Sequence, residues 1–461
     1  MTETEKEIKE IVNEDLFFNL LEGKAHPDKK EVEEILKKGE KKKGLSLSEV
    51  SALLNVQDKD LIEEIARVAG KVKREIYGER LVLFAPLYLS NFCINDCEYC
   101  GFHRRNPHPR RKLSLEEIAE EVRILLRMGH KRVLVEAGED PENNSISYIV
   151  SAIKKIYETK EGKGEIRRVN VNISATTVEN YRRLKEVGIG TYQLFQETYH
   201  RKTYERIHNG PKRDFMRQIF AHNRAFQAGI DDIGLGVLFG LYDYRFEVLG
   251  LVSHAQYLER RFGVGPHTIS VPRFRPAPTV NFSPFYQVSE EELLKIIAIL
   301  RLAVPYTGMI ISTRERGEIR ERAFEIGISQ TSAGSRTTPG GYSASESSPQ
   351  FAISDQRRLD EVILGMLKKN FIPSFCTACY RSGRTGERFM SLAKPGDIHL
   401  LCRPNGLLTF KEYLEDYASP EVKELGEKVL SFYLKKVNSG LREKTEELLK
   451  RISAGERDLY F

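Results

Sequence analysis

The sequence predicts an α/β fold: a (β/α)8 TIM-type barrel over residues 81–340, with a helical N-terminal extension over 1–80 and a mostly helical C-terminal domain over 341–461. Three observations lead there. Eight short apolar runs alternate with amphipathic segments across about 260 residues, the length and rhythm of one barrel. The chain has 461 residues, 40% of them hydrophobic, enough to bury a large core with additions. Its six cysteines fall into two triplets, 93/97/100 and 376/379/402, the first directly after the first apolar run and the second beyond the last.

The extension is polar and helical. Lys41-Lys42-Lys43-Gly44 marks a turn, and Ser46-x-x-Glu49 forms a capping box ahead of Val50, Leu53 and Leu54. The expected barrel strands are Leu81–Leu89, Arg132–Glu136, Arg168–Ile173, Thr191–Phe195, Asp232–Leu238, His267–Val271, Gly308–Ser312 and Ile326–Thr331. Between them, helices are expected after the cap Ser114-x-x-Glu117, at Tyr148–Tyr157, Val178–Val187, Phe215–Gln227 and Phe246–Phe262, and after Ser289-x-x-Glu292. Thr337–Pro349 is rich in Gly, Ser, Thr and Pro and reads as a loop, followed by a helix at Asp355–Lys368 and a charged helical tail.

Composition narrows the function classes. With 72 basic against 66 acidic side chains, the net charge of +6 does not call for nucleic acid. No apolar run reaches 18 residues, so no membrane span is expected. Residues 1–7 are charged and lack the apolar centre of a secretory signal. Few, clustered cysteines suit reduced thiols that ligate metal in the cytoplasm better than a disulfide framework.

Cys93, Cys97 and Cys100 make a C-x3-C-x2-C run at the end of the first strand. Three thiolates suit three corners of a [4Fe–4S] cube, leaving one iron open for chemistry. Zinc is the alternative, but a zinc ribbon needs a second close ligand pair, and none follows. Barrel sites gather at the C-terminal ends of strands. There the sequence places Glu136–Asp140, Asn170, Asn172, Ser174, Glu197, Arg201, Arg273, Arg275, Ser312, Arg314, Arg316 and Ser332, a mixture suited to a zwitterionic ligand. Gly234-x-Gly236-x-x-x-Gly240 lies in a strand and does not match a dinucleotide fingerprint. The run from His103 to Lys112 is basic but interrupted by proline, and reads as a solvated loop over the cysteines.

C-x3-C-x2-C after the first barrel strand, with Tyr99 just before the third cysteine, resembles the radical S-adenosylmethionine (SAM) superfamily. The resemblance implies that Cys93, Cys97 and Cys100 ligate a [4Fe–4S] cluster. SAM binds its open iron and is cleaved to methionine and a 5′-deoxyadenosyl radical. It also implies that Ala137-Gly138-Glu139 meets the methionine amino group, although alanine replaces the family's first glycine. Glu197 and Arg201 would address the ribose and carboxylate of SAM, Gly236 would border adenine, and Tyr99, Asn172 and Ser174 complete the expected cofactor site.

The second triplet, Cys376-x2-Cys379-x22-Cys402, again has no fourth cysteine. By spacing alone it suits either an Fe–S cluster or a zinc site completed by His399. The segment from Cys376 to Lys394 is similar to the tyrosine-cleaving [FeFe]-hydrogenase maturases within the same superfamily, as are Phe195–His200 and Thr268–Arg273. That resemblance implies Cα–Cβ cleavage of L-tyrosine to p-cresol and dehydroglycine. Dehydroglycine is then converted to CO and cyanide at an auxiliary [4Fe–4S] cluster with an extra, labile iron. It implies a free cysteine bridging to that iron, a histidine ligand (His254, favoured, or His267), an electron donor and other hydrogenase maturases as partners. Arg273, Arg275, Ser312, Arg316 and Ser332 are the candidates for holding tyrosine. Two other readings stay open: the tyrosine lyase of thiamine synthesis, which makes 2-iminoacetate and lacks the paired cysteines, and a zinc-ribbon binding module on a barrel.

Overall fold

A computed structural model describes residues 3–23, 27–344 and 348–461. Its centre is a closed, eight-stranded, all-parallel barrel: β1 (Arg80–Ser90), β2 (Arg132–Ala137), β3 (Arg168–Asn172), β4 (Tyr192–Gln193), β5 (Ile233–Gly236), β6 (Thr268–Ser270), β7 (Gly308–Ile311) and β8 (Gln330–Ser332). The strands pair in sequence order, and β8 closes on β1 through Val82↔Gln330, Leu83↔Thr331 and Phe84↔Ser332. Ten of the eleven β1 residues are buried, as expected of a parallel strand covered on both faces. At β5, a Cβ on Gly236 would stand 2.4 Å from the Phe195 ring, and one on Gly234 2.5 Å from Thr268 Oγ1. These glycines make room for neighbouring side chains inside the barrel.

All three expected capping boxes are present, at Ser46/Glu49, Ser114/Glu117 and Ser289/Glu292. Five N-terminal helices, the last at Lys59–Tyr77, pack against the barrel helices Tyr244–Phe262, Glu290–Ala303 and Gly317–Ile326. Three expectations change. The eighth strand begins at Gln330, because Ile326 still belongs to the preceding helix. The helix expected at Phe215–Gln227 breaks at Phe220 into Phe215–Ile219 and Ala221–Gln227. The helix expected from Asp355 begins at Leu359, because Asp355 is buried and engaged by Arg320 and Arg357. Of the loop 337–349, residues 345–347 lie outside the described residues, as do Met1 and Thr2.

A ninth strand, β9 (Ile372–Ser374), was not expected. It pairs in parallel with Arg80–Val82, on the edge of β1 that β2 covers from Ala85 upward. It therefore docks the C-terminal domain at the N-terminal end of the barrel. Helices Ile398–Asp416, Pro420–Leu434 and Ser439–Ser453 complete that domain. Among the described residues, no helix is long and apolar enough to cross a membrane.

Candidate active site at both ends of the barrel

The first cysteine triplet follows the C-terminal end of β1. Cys93, Cys97 and Cys100 line one cavity with residues from nearly every strand end, including Glu136, Gly138, Glu139, Asn172, Ser174, Glu197, Ser270, Ser312, Arg314 and Ser332. Their loop is tied down rather than loose. Ile94 N donates to Glu139 O (2.8 Å), Cys100 N to Cys97 O (3.1 Å), and Phe102 N to Cys100 Sγ (3.4 Å). The expected solvated run is partly a staple: Arg110 donates to the carbonyls of Asn91 (2.7 Å), Phe102 (2.9 Å) and His103 (2.6 Å). Gly138 is needed here because a Cβ would stand 2.4 Å from Phe92 O and 3.0 Å from Cys93 Cβ.

Burial pushes all three thiols up, Cys97 well above its ordinary value and Cys100 to about 11. They stay protonated until a metal takes the proton's place. Glu139 accepts from Arg217 Nη2 (2.5 Å) and Asn95 Nδ2 (2.6 Å). Glu197 Oε1 lies 2.7 Å from Lys212 Nζ. Tyr99 donates its hydroxyl or accepts at His208 Nε2, 2.8 Å away. Burial raises Glu136 to about 8, against the pull of Asn172 and Arg314.

Several expectations shift. Arg201 is exposed and pairs with Glu205 (2.7 Å), away from the cavity lining. The cation beside Glu197 is Lys212, from the turn after the helix Arg201–Ile207. Gly236 does not line the cavity but lets Phe195, which does, lie across β5. Arg273 is buried against Glu315, with Nε 3.1 Å from Oε1; Arg275 reaches the same carboxylate (2.9 Å), and Arg316 pairs with Glu290 at the surface (2.8 Å). All three are outside the cavity lining. The arginine that does line it is Arg314, stacked 3.3 Å over the Phe351 ring and next to Tyr88, Glu197 and Glu136 in the local field. Ser312 and Ser332 line the cavity as expected. Arg314 stood in the same Ser312–Arg316 stretch, but residue type alone cannot say which arginine is already paired.

The second triplet sits at the opposite end. Cys376 follows β9, Cys379 lies in the short helix Ala378–Arg381, and Cys402 in the helix Ile398–Asp416. β1 is eleven residues long, so the two triplets are separated by roughly 30 Å of strand. Around the second triplet converge residues at or just before the starts of successive strands: Arg80, Arg132, Arg168, Thr191, Asp232 and His267. Arg132 Nη1 donates to Cys376 O (3.1 Å), Arg168 stacks 3.4 Å over Tyr380, and Thr191 Oγ1 is 3.1 Å from the Tyr380 hydroxyl. Burial works against the Arg80 charge, but the Cys402, Cys376 and Cys379 sulfurs outweigh it. Its buried Nε has no partner. Burial pushes Cys402 up to about 12, with Arg80 pulling the other way.

A guanidinium with an unpartnered buried Nε beside three sulfurs fits an anionic iron–sulfur group. Among the described residues, no three His, Cys, Asp or Glu converge closely enough to share one ion. His399, the expected fourth zinc ligand, instead meets Gly396 O (2.6 Å). His267 lies here, its ring 4.1 Å from Phe389 and 5.7 Å from Tyr380. His254 does not. It is buried among Tyr199, His222 and Tyr257, with Nδ1 3.0 Å from the Tyr199 hydroxyl. Of the two candidate histidines, the fold brings His267 and not His254 to the second triplet.

With the geometry in place, comparison with known proteins is informative. The Radical SAM superfamily profile matches residues 87–249, and the Biotin and Thiamin Synthesis associated domain matches 270–372. A crystal structure of HydG, a maturase of the [FeFe]-hydrogenase, shares 53% identity, covering 98% of this chain and all of its own, with a TM-score of 0.95. HydG from Carboxydothermus hydrogenoformans shares 41% identity over 97% of this chain and all of its own, with a TM-score of 0.85. The 2-iminoacetate synthase of Escherichia coli (strain K12) is 31% identical over 347 residues, 75% of this chain and 90% of that protein.

Proposed function

Because the chain belongs to the radical SAM superfamily, and within it to the HydG-type [FeFe]-hydrogenase maturases, we propose that it cleaves the Cα–Cβ bond of L-tyrosine and delivers CO and cyanide for the hydrogenase cofactor. The first half of the reaction yields p-cresol and dehydroglycine, and the second splits dehydroglycine. The observation that carries this reading is the pairing of two cysteine triplets at opposite ends of one barrel.

In this reading Cys93, Cys97 and Cys100 hold the SAM-binding [4Fe–4S] cluster, and Cys376, Cys379 and Cys402 hold the auxiliary one, with His267 toward its extra iron. When bound, the first cluster with SAM supplies a one-electron, hydrogen-abstracting oxidant, and the second supplies an exchangeable iron for diatomic ligands. The chain's own residues bind and orient. Glu139, fixed by Arg217 and Asn95, and Glu197, fixed by Lys212, present carboxylates to the SAM side of the cavity. Arg314, unpaired by any carboxylate at salt-bridge distance among the described residues, suits the tyrosine carboxylate, with Ser312 and Ser332 beside it. Phe102, Phe274 and Phe351 narrow the mouth and limit water. A free cysteine at the extra iron, an electron donor, the other maturases and a cytoplasmic location belong to the same proposal.

The competing reading is 2-iminoacetate synthesis with one cluster, favoured by the 31% identity to that enzyme. Anaerobic incubation with SAM, dithionite and L-tyrosine, assayed for p-cresol and CO together, separates the two. Both products support the maturase, p-cresol without CO the synthase, and neither overturns tyrosine cleavage.

A further inference from the structure

Glu197 has φ +68°, one of four non-glycine residues with positive φ among the described residues. Thr198 N donates to Gln196 O (2.9 Å), so the chain turns over three residues with Glu197 at the centre. A three-residue turn of this hand is rare and strained, and persists only where the surroundings over-determine it. Gln196 N and Leu238 N tie the turn's flanks to β5, through Gly236 O (2.9 Å) and Glu197 O (3.0 Å).

The other constraint comes from one face of the helix Tyr244–Phe262. Glu247 is fully buried, and no Lys, Arg or His lies within salt-bridge distance of it among the described residues. One of its carboxyl oxygens takes the Thr198 hydroxyl and the other the Tyr199 N–H, at 2.7 Å. One turn on, Gly250 accommodates the Tyr199 ring, which would stand 2.5 Å from a Cβ there. A further turn on, His254 Nδ1 meets the Tyr199 hydroxyl. Positions 247, 250 and 254 share a helix face.

We propose that Glu247 is a positioning residue: its buried carboxyl group clamps Thr198 and Tyr199 and so holds the strained turn that aims Glu197 into the cavity. This rests on the reading of Glu197 as a SAM-facing residue. A buried acid without a cation is costly to keep, and this one spends both oxygens on two consecutive residues of a strained loop. Packing alone would not require it.

The test uses the cluster-loaded full chain and SAM as the probe, with SAM affinity measured by equilibrium dialysis, and hydrogen exchange of the 198–199 amides followed in the same variants. Glu247→Ala should weaken SAM binding about tenfold or more, with iron content unchanged and faster amide exchange at Tyr199. Glu247→Gln can accept from Tyr199 N–H and donate to Thr198 Oγ1, and should stay within about threefold of the parent. Wild-type SAM affinity in Glu247→Ala, with the faster exchange present, overturns the proposal. Should Glu247→Ala fail to fold, Thr198→Val removes one of the two donors and should cost roughly threefold to tenfold; no loss overturns the proposal. Glu197→Ala separates the premises. Unchanged SAM affinity there overturns the SAM role of Glu197 and the functional half of the proposal with it. A loss there without one in Glu247→Ala overturns the positioning role alone.

Discussion

His267 Nδ1 lies 3.4 Å from Asp232 Oδ2 at the floor of the barrel. Asp232 is buried and neither of its oxygens has a hydrogen-bond partner among the described residues, so under the proposed function its carboxylate faces the imidazole at Nδ1 and Nε2 is the nitrogen left for the iron. His267→Ala should therefore cost one iron per chain, from about nine to about eight, while His254→Ala should cost none. Iron and sulfide analysis of the two reconstituted variants checks this. Iron loss in His254→Ala alone would return the role to His254.

Arg314 is the arginine expected to hold the tyrosine carboxylate. Arg314→Gln should raise KM for tyrosine between about tenfold and a hundredfold, because a hydrogen bond to a charged group is lost in a confined site. Arg316→Gln, at the surface with Glu290, should leave KM within about twofold. Steady-state p-cresol formation across tyrosine concentrations checks both; equal effects would remove the special place of Arg314.

Lys212 neutralises Glu197 across 2.7 Å, with both side chains mostly buried. Lys212→Met should weaken SAM binding by about tenfold or more, since the remaining carboxylate is left uncompensated. Restored affinity in the double variant Lys212→Met with Glu197→Gln would show that the unpaired charge is the cause. Equilibrium dialysis with SAM reads both.

Burial raises the Glu247 carboxyl to about 8 from an ordinary 4.5, against donation from Thr198 and Tyr199. The folded protein then binds this proton more tightly than the unfolded chain. The associated stability is fully present below about pH 4.5 and is lost as pH rises through about 8. Within that window the slope is about 1.4 kcal/mol per pH unit from this one group. Melting temperatures of the protein should therefore fall more steeply from pH 5 to pH 8 than those of Glu247→Gln. Parallel curves would contradict the assignment.

Much of the top of the barrel was legible in the sequence because many contributors there stand at a strand's C-terminal end, next to an apolar run that announces them. The cysteine loop, Glu139, Glu197, Ser312 and Ser332 were found that way, and all line the cavity. The floor was legible only in its cysteines and in His267 as one of two histidine candidates. Arg80, Arg132, Arg168, Thr191 and Asp232 are spread over some hundred and fifty residues and share only a position at the beginning of their strands. Only barrel closure, and the unforeseen β9, brings them to Cys376, Cys379 and Cys402. Which arginine is left without a carboxylate partner was hidden for a different reason. Arg273, Arg275 and Arg316 are consumed by Glu315 and Glu290, pairings that depend on tertiary placement. That Lys212 rather than Arg201 meets Glu197, and that His267 rather than His254 lies beside the second triplet, has the same origin. A side chain's partner is fixed by the packing of its element, which periodicity does not encode.

The division of labour between the two ends of the barrel is tested most directly by one dual assay. The variant carrying Cys376→Ser and Cys379→Ser is incubated anaerobically with SAM, dithionite and L-tyrosine, and p-cresol and CO are measured from the same reaction. The expected result is p-cresol formation close to the parent protein with little CO. Undiminished CO output from this variant would contradict the role of the second triplet.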